Sequence, residues 1–198
     1  MGTTKSRSTF RLEYRVSTNI RATAPAVWGL LTNVGDYPRW NSTVTSSEGM
    51  IKDGETIRLK VAVAPKRLFK LGVSEVVPNR SMVWSDGFAP MFRGVRTFTL
   101  TPKDDATVDF EMVEVFRGLM LPMIAGSLPD FEPVFARYAE DLKKEAEQRF
   151  KLRPERRQQP PFPAAGAAGG TFIASQAKSN RSNSASLFAS RPVSAGRS

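Results

Sequence analysis

The feature that most constrains the fold is a long apolar stripe in the second half of the chain. Large apolar side chains recur there at steps of three and four residues, at Phe131, Val134, Phe135, Tyr138, Leu142 and Ala146. This spacing predicts an amphipathic helix with Asp130 as its N-cap, because Pro133 then falls in the first turn, where its missing N–H costs little. Extended to Phe150, the helix would be roughly 30 Å long and would need one broad apolar surface to pack on.

The residues before this stripe alternate between apolar and polar instead. From Phe10 to Ile20 every second residue is apolar or Thr, which predicts a half-buried strand. Two short helices follow, the first entered through Thr23-Ala24-Pro25 and the second, around Tyr37, broken by Pro38. Further alternation and turn sequences predict four to six more strands, within 57–63, 69–73, 82–86, 95–100 and 107–116.

This order of elements predicts an α+β fold in which a curved antiparallel sheet wraps around the long C-terminal helix. Because side chains cannot always fill the space between a long helix and a strongly curved sheet, we expect an apolar pocket there. The folded domain should span residues 10–152. We expect residues 1–9 to be a flexible N-terminus and residues 153–198, rich in Ser, Ala, Gly and Pro, to be a disordered basic tail.

The formal net charge of +10 is concentrated in that tail. Residues 151–198 hold eight Lys and Arg against the single acidic residue Glu155, which leaves only +3 for residues 1–150. A domain so nearly balanced lacks the electrostatic footprint of a nucleic-acid-binding protein. The tail arginines are scattered, so a solvated extension is favoured over a binding segment for anionic lipid or nucleic acid. Met1–Ser6 also fits the short pattern for myristoylation of Gly2.

Histidine and cysteine are both absent, which removes several classes of chemistry. Ser-His and Cys-His catalysis are excluded, and a structural zinc site is very improbable. A general base would have to be a carboxylate, Lys or Tyr with a shifted pKa. We therefore expect no metal and no cofactor. The lack of cysteine fits a reducing compartment, and we expect a cytoplasmic protein.

Several segments carry a resemblance to a known family: Ala24–Trp28, Asp36–Asn41, Pro78–Trp84, Arg96–Pro102, and Glu114–Leu119 with Pro122. Over about 12–150 the chain resembles the START-like (SRPBCC) superfamily, above all its polyketide cyclase/dehydrase and lipid-transport branch. The resemblance implies a helix-grip fold with a cavity between sheet and C-terminal helix. Members bind lipids, sterols, quinones, polyketides or hormones, and a minority catalyse cyclisation or dehydration. Arg96 stands where relatives often have His, which weakens the transfer of an acid–base role.

The last predicted hairpin offers the best polar candidates for a site. If its turn centres near Asp104, Phe98 lies opposite Phe110 and Arg96 lies opposite Met112, with Glu114 diagonal to Arg96. The neighbouring apolar residues indicate that this face points inward. Buried charges are costly unless paired, so we expect an ion pair between Arg96 and Glu114. Arg96 would either orient a carboxylate, carbonyl or phosphate of a ligand or form a purely structural pair.

The remaining candidates are large apolar residues predicted to line the cavity. They are Trp40, Trp84, Phe92, Phe98, Phe110, Met112, Leu121, Phe131, Phe135 and Tyr138. Core packing is the alternative for each of them, since aromatic residues dominate protein cores generally. The apolar segment Gly118–Gly126 is interpreted as a mobile lid, with membrane contact or packing under the long helix as alternatives.

These features favour a non-enzymatic protein that binds or carries a small hydrophobic ligand, such as a lipid, a polyketide or a quinone-like molecule. The alternative is a cyclase or dehydratase acting on a polyketide-like substrate through Arg96, Glu114 and Tyr138. A third hypothesis is an interaction module that uses the tail or Leu119–Ile124. We expect no nucleic-acid partner and favour a monomer, while transient contact with a membrane surface stays open.

Overall fold

The strands of the protein form one antiparallel sheet that curves around its longest helix. The computed structural model describes residues 1–103, 106–126 and 128–152, so the predicted tail at 153–198 lies outside the described residues. The strands are β1 Gly2–Ser8, β2 Arg11–Ile20, β3 Val44–Glu48, β4 Thr56–Val61, β5 Leu68–Val77, β6 Ser81–Phe88, β7 Phe92–Pro102 and β8 Val108–Arg117. Their spatial order is β1-β2-β8-β7-β6-β5-β4-β3.

The helices lie at two places in the chain, after β2 and after β8. The described helices are α1 Ala24–Thr32, α2 Tyr37–Trp40, α3 Leu121–Ile124 and α4 Glu132–Lys151, with a short 3-10 turn at Val34–Asp36 before α2. Pro25 lies in the first turn of α1, as the sequence predicts. Pro38 lies in the first turn of α2 and does not break that helix, contrary to the prediction. Within the described part of the chain, no helix combines the length and the apolar character needed to cross a bilayer.

The core lies between α4 and the inner face of the sheet. α4 buries Phe135, Tyr138, Leu142 and Ala146 of the predicted stripe and, in addition, Ala139. Apart from β1, the strands contribute inward-facing residues to the core, including Phe98, Leu100, Phe110, Met112 and Phe116. Fully burying one such side chain stabilises the fold by about 1.5–3 kcal/mol. The predicted α+β arrangement, with two short helices before the sheet continues, is confirmed.

The first strand corrects the prediction of a flexible N-terminus at 1–9. β1 pairs antiparallel with β2, with Gly2 opposite Ser17 and Ser8 opposite Arg11. Most of its residues are exposed, so an edge strand of this kind has no apolar periodicity to reveal it. Two side chains fix it to the start of α4: Thr3 donates to Glu132 at 3.1 Å and Lys5 to Asp130 at 3.0 Å.

Two ends of elements also differ from the prediction. α4 begins at Glu132 with Phe131 at the N-cap position, so Asp130 lies just outside the helix, where its side chain accepts the Glu132 N–H at 3.4 Å. Phe10, predicted to be buried in the strand, lies between β1 and β2 and is 52% exposed. In both cases the predicted element is present, and only its end has moved.

The hairpin of β7 and β8 has a different register from the predicted one. Arg96 lies directly opposite Glu114, and Phe98 lies opposite Met112. The hairpin is centred one residue later than predicted: Pro102 lies opposite Val108, and Lys103 N–H donates to Thr107 O at 3.1 Å. The resulting shift is two residues, and a shift of two leaves every side chain on the same face of the sheet. The inward face was therefore predicted correctly although the partners were wrong.

Candidate functional site

A small pocket lies between α4 and the β4–β7 part of the sheet. Five of its lining residues were predicted from the sequence: Trp84, Arg96, Phe131, Phe135 and Tyr138. Its volume is about 60 Å³. A pocket of this size has room for a few water molecules but not for a larger ligand. The hollow under α4 is thus mostly filled by side chains, and only one part of it stays open.

The sequence reasoning missed the other side of this pocket. The missed lining residues are Thr43, Val44, Leu59, Val61, Val63, Phe69, Leu71 and Val134. The alternation within 57–63 and 69–73 does put Leu59, Phe69 and Leu71 on regular strand positions, so a signal for them was present. The alternation of apolar residues does not show over which strands the space under α4 stays open. Val63 lies beyond the end of β4 and is 37% exposed, at the edge of the opening.

The other predicted cavity residues lie elsewhere. Phe98, Phe110, Met112 and Leu121 are buried in the core and do not line the pocket. Two further residues are also absent from the lining: Trp40, which packs on Tyr138, and Phe92, which stacks on Phe116 with ring centroids 5.8 Å apart. For these six residues the structure has the core-packing role that the sequence left as the alternative.

Arg96 and Glu114 form the ion pair that the sequence predicts. The Nε of Arg96 donates to Oε2 of Glu114, and the two side chains are only 20% and 9% exposed. The guanidinium carbon of Arg96 also lies 4.7 Å from the centroid of the Phe135 ring, a cation–π contact. Arg96 lines the pocket, whereas Glu114 lies behind it. The carboxylate and the ring therefore hold the guanidinium in place at the pocket wall.

Burial changes the proton affinity of this pair. It raises the pKa of the Glu114 carboxyl, while the charge and the hydrogen bond of Arg96 lower it and the charge of Asp86 raises it further. Burial likewise raises the pKa of Asp86, against the charges of Arg67 and Arg96. A carboxyl with a raised pKa takes up a proton at a higher pH than an exposed carboxyl does, and this applies to both Glu114 and Asp86.

The inner end of the pocket contains hydrogen-bond donors that have no acceptor. Among the described residues, the buried side-chain groups without a hydrogen-bond partner are Nε1 of Trp40 and Trp84, Nδ2 of Asn41 and the hydroxyl of Tyr138. Trp84 and Tyr138 line the pocket, and the ring of Trp40 meets that of Tyr138 at 5.9 Å. Leaving such a group unpaired costs about 1–3 kcal/mol, so the cluster requires an explanation.

The Tyr138 hydroxyl stays a neutral donor at physiological pH. Burial raises the pKa of Tyr138 well above its ordinary value, and the charge of Arg96 and the neighbouring Tyr37 hydroxyl oppose this only in part. The nearby Tyr37 hydroxyl donates to the Leu31 carbonyl oxygen at 2.5 Å. It also interacts with the Tyr138 hydroxyl, although not with the geometry of a full hydrogen bond. The pocket therefore offers hydrogen-bond donors to any molecule that occupies it.

The segment predicted to be a lid lies outside the pocket lining. Leu121 is buried at the start of α3, whereas Leu119, Met120 and Met123 are exposed. Two backbone hydrogen bonds of 3.0 Å tie the segment to the turn before β7, from Leu119 N–H to Pro90 O and from Met120 N–H to Met91 O. Its role as a lid stays a prediction. In the described part of the chain, no group of three or more acidic side chains is placed to hold a metal ion.

A curved antiparallel sheet that grips a long C-terminal helix, with a pocket between them, defines a helix-grip domain. Residues 11–151 match the model of the family described as polyketide cyclase / dehydrase and lipid transport. The protein therefore belongs to that family. The search of curated proteins found no match in sequence.

Solved structures share the fold at low sequence identity. The Zhui aromatase/cyclase of Streptomyces sp. R1128 aligns with a TM-score of 0.58 at 17% identity, over 73% of this chain and 98% of the other. Norcoclaurine synthase of Thalictrum flavum aligns at 0.55 and 12% identity, over 73% and 99% of the two chains. A START superfamily protein of Mycobacterium smegmatis aligns at 0.52 and 16% identity, over 69% and 97%. Identities this low establish the fold only.

Proposed function

We propose that the protein binds a small, mainly apolar ligand that carries a hydrogen-bond-accepting oxygen, and that it does so without catalysis. The observation that carries this proposal is the pair of unpartnered donors in the pocket, Trp84 Nε1 and the Tyr138 hydroxyl. A ligand oxygen that accepts from both would remove the cost of burying them unpaired. The family description, which includes lipid transport, is consistent with this role.

The charge of the pocket favours a carbonyl over a free carboxylate as the accepting group. Arg96, the cation of the lining, is already paired with Glu114. A second carboxylate would therefore meet two neutral donors and a guanidinium whose charge is balanced, while still losing its own hydration. A carbonyl loses much less on leaving water. A polyketide or quinone-like ligand accordingly fits better than a free fatty acid.

The small volume means that binding has to enlarge the pocket. Ligand sites for small molecules usually measure about 300–1,000 Å³, several times the 60 Å³ open here. The half-buried part of the lining, Val61, Phe69 and Leu71 on the strand side and Phe131 and Val134 on the helix side, is apolar and reaches solvent. We infer that the first turns of α4 and the β4–β5 hairpin separate when the ligand enters.

The test is a titration with an aromatic quinone, 1,4-naphthoquinone, followed by quenching of tryptophan fluorescence. Trp84→Phe and Tyr138→Phe each keep an aromatic ring and remove one donor. Each should weaken binding by about 5- to 15-fold, because a neutral hydrogen bond contributes about 1–1.5 kcal/mol. Tyr14→Phe makes the same chemical change on β2, outside the pocket lining, and should leave the affinity unchanged.

A second readout separates binding from folding. Because the Tyr138 hydroxyl is buried without a partner, Tyr138→Phe should leave the free energy of unfolding unchanged or raise it by up to about 1 kcal/mol, as measured in urea. Native mass spectrometry of protein from its natural source should also show a co-purifying molecule. A Tyr138→Phe variant that binds the quinone as well as wild type would contradict the proposal, and so would protein that binds neither quinone nor lipid.

A cyclase or dehydratase is the second candidate, and the buried Glu114 favours it. Its carboxyl has a raised pKa and lies next to Arg96, which lines the pocket. In this alternative Arg96 would polarise a substrate carbonyl, Tyr138 would donate to it, and Glu114 would hold Arg96 in place. Turnover of a polyketide-like substrate that Glu114→Gln abolishes, with substrate binding retained, would support catalysis. Binding without turnover supports the carrier.

A further inference from the structure

We propose that one end of the domain is a docking surface for an anionic lipid bilayer, separate from the pocket and independent of its ligand. The surface has an apolar part, here called the apolar tip, and a basic part beside it. The apolar tip consists of Phe10, Phe88, Met91, Leu119, Met120 and Met123, all of them exposed. The basic part is formed by Arg93 and Arg117.

The apolar tip is one continuous patch built from three turns of the chain. Gly118 N–H donates to Phe10 O at 3.3 Å, which joins the β1–β2 turn to the segment after β8. The hydrogen bonds from Leu119 and Met120 to Pro90 O and Met91 O join that segment to the β6–β7 turn. The three turns that carry the six large apolar side chains are thus held next to one another. Met123 at 82% and Phe88 at 68% are the most exposed of them.

Exposing such an apolar patch to water is unfavourable, and the stability of the fold does not depend on it. Its members contribute little to the core, because the buried residue of this region is Leu121 rather than its exposed neighbours. Contiguous exposed apolar surface rimmed by polar groups is typical of an interaction site. Single exposed Met or Phe residues would need no explanation, but six on three turns that are tied together by backbone hydrogen bonds do.

The arginines beside the tip lie opposite one another on neighbouring strands, an arrangement that is unfavourable for the sheet. On the outer face, Arg11 of β2 lies opposite Arg117 of β8, which lies opposite Arg93 of β7. Like charges directly opposite each other destabilise a sheet. Arg11 is paired with Glu13. In the part of the chain that the structure describes, Arg93 and Arg117 have no carboxylate within ion-pair distance, so both charges face solvent uncompensated.

A groove joins the two parts of the surface. It is lined by Ala89, Pro90, Arg93, Val95, Val115, Arg117 and Gly118 and has a volume of about 400 Å³. Two guanidinium groups over an apolar floor suit a lipid phosphate, because arginine binds phosphate oxygens in a bidentate manner. The tip beside them would enter the boundary between headgroups and acyl chains, where Phe, Leu and Met are favourable. Charge complementarity therefore selects an anionic bilayer as the partner.

The surface lies at the end of the sheet where α4 begins. Phe92, next to Met91 of the tip, stacks on Phe116, and the Phe116 ring lies 5.6 Å from that of Phe131. Phe131 lines the pocket. A bilayer bound at the tip would thus lie close to the half-buried apolar rim of the pocket. An apolar ligand could then pass between bilayer and pocket with little exposure to water.

The test is co-sedimentation of the full chain with vesicles of phosphatidylcholine alone or of phosphatidylcholine with phosphatidylserine. Wild type should bind the mixed vesicles and not the neutral ones. Replacing Arg93→Gln and Arg117→Gln together should weaken binding roughly 30-fold, since one arginine near an anionic surface contributes about five-fold. Phe88→Ser with Met123→Ser should weaken it at least about ten-fold through lost apolar contact.

The matched control is Arg80→Gln with Arg137→Gln, which removes the same charge from exposed positions outside this surface. It should change vesicle binding by less than about three-fold. All variants should keep the wild-type pocket affinity, and none should have a lower unfolding midpoint than wild type. If both arginine pairs weaken binding equally, net charge or the basic tail carries it and the proposal is wrong. Failure of wild type to bind either vesicle also overturns it. So does self-association that Phe88→Ser with Met123→Ser abolishes, without vesicle binding.

Discussion

At the scale of single residues, the pocket combines two polar features with different origins. The ion pair of Arg96 and Glu114 could be predicted from the sequence, because both residues fall on the inward face of neighbouring strands and a buried charge needs a partner. The unpaired donors could not be predicted. Whether Trp84 Nε1 or the Tyr138 hydroxyl finds an acceptor depends on packing details that no periodicity encodes. These donors are also what points most directly to a ligand.

The raised pKa of Glu114 predicts how its contribution to stability varies with pH. Below its unfolded-state pKa the carboxyl is protonated in both the folded and the unfolded protein. Between that pKa and the higher pKa of the folded state, the unfolded protein has released its proton while the folded protein still holds it. Stability is therefore lost as the pH rises through this range. Relative to Glu114→Gln, the free energy of unfolding of wild type should therefore fall from about pH 4.5 upward.

This prediction is measured by urea unfolding of both proteins at a series of pH values. Taking the difference from Glu114→Gln removes the opposite trend of the exposed carboxyls that pair with arginine, such as Asp36 and Glu145, whose lowered pKa values make stability fall as the pH drops. A difference that rises with pH would mean that the attraction of Arg96 outweighs burial and that the Glu114 pKa is lowered.

At the scale of elements, the helices and strands with a regular apolar periodicity could be predicted from the sequence, and those without it could not. α4 and β2 carry long stripes, so their existence and buried faces were predictable. β1 was not, since its stability comes from backbone pairing and from the bonds of Thr3 and Lys5 to α4. The register of β7 and β8 depended on where one turn is centred, which the sequence predicted one residue too early.

The connection after β8 depends on one glycine that the sequence does not single out. Gly118 has a φ of +146°, and a Cβ there would lie 2.1 Å from the carbonyl oxygen of Met91. Gly118→Ala should therefore lower the free energy of unfolding by about 2 kcal/mol or more. Gly29→Ala is the matched control, because Gly29 lies in α1 with nothing within 4 Å of a Cβ. That change should stabilise the protein by about 0.5–1 kcal/mol.

Urea unfolding of the two alanine variants makes the comparison direct. If Gly118→Ala were neutral, the segment from Gly118 to Met120 would have to move away from the β6–β7 turn without loss of stability. The hydrogen bonds to Pro90 and Met91 would then contribute little to the position of the apolar tip. A loss confined to Gly118→Ala supports a tip that is held rigidly by the fold.

At the scale of the whole molecule, the sheet and α4 are packed unevenly along their contact. On the side of β2, β7 and β8 the interior is closed by large side chains such as Phe98, Phe110 and Met112. On the side of β4 and β5 the lining is half-buried, and the pocket lies there. Local opening is easiest where few apolar contacts have to be broken. The fold thus has a closed half that stabilises it and a looser half through which a ligand can enter.

This asymmetry predicts where the molecule opens. In hydrogen exchange followed by mass spectrometry, backbone amides of β4, of β5 and of the first two turns of α4 should exchange faster than those of β7 and β8. Addition of 1,4-naphthoquinone should slow exchange in that looser half, because a ligand that fills the pocket adds the apolar contacts now missing between strand and helix. Tyr138→Phe, compared at the same quinone concentration, should show less of this slowing in proportion to its weaker binding. Ligand uptake that protects β7 and β8 instead would mean that the closed half opens, and that the pocket between α4 and the β4–β5 hairpin is not the entrance.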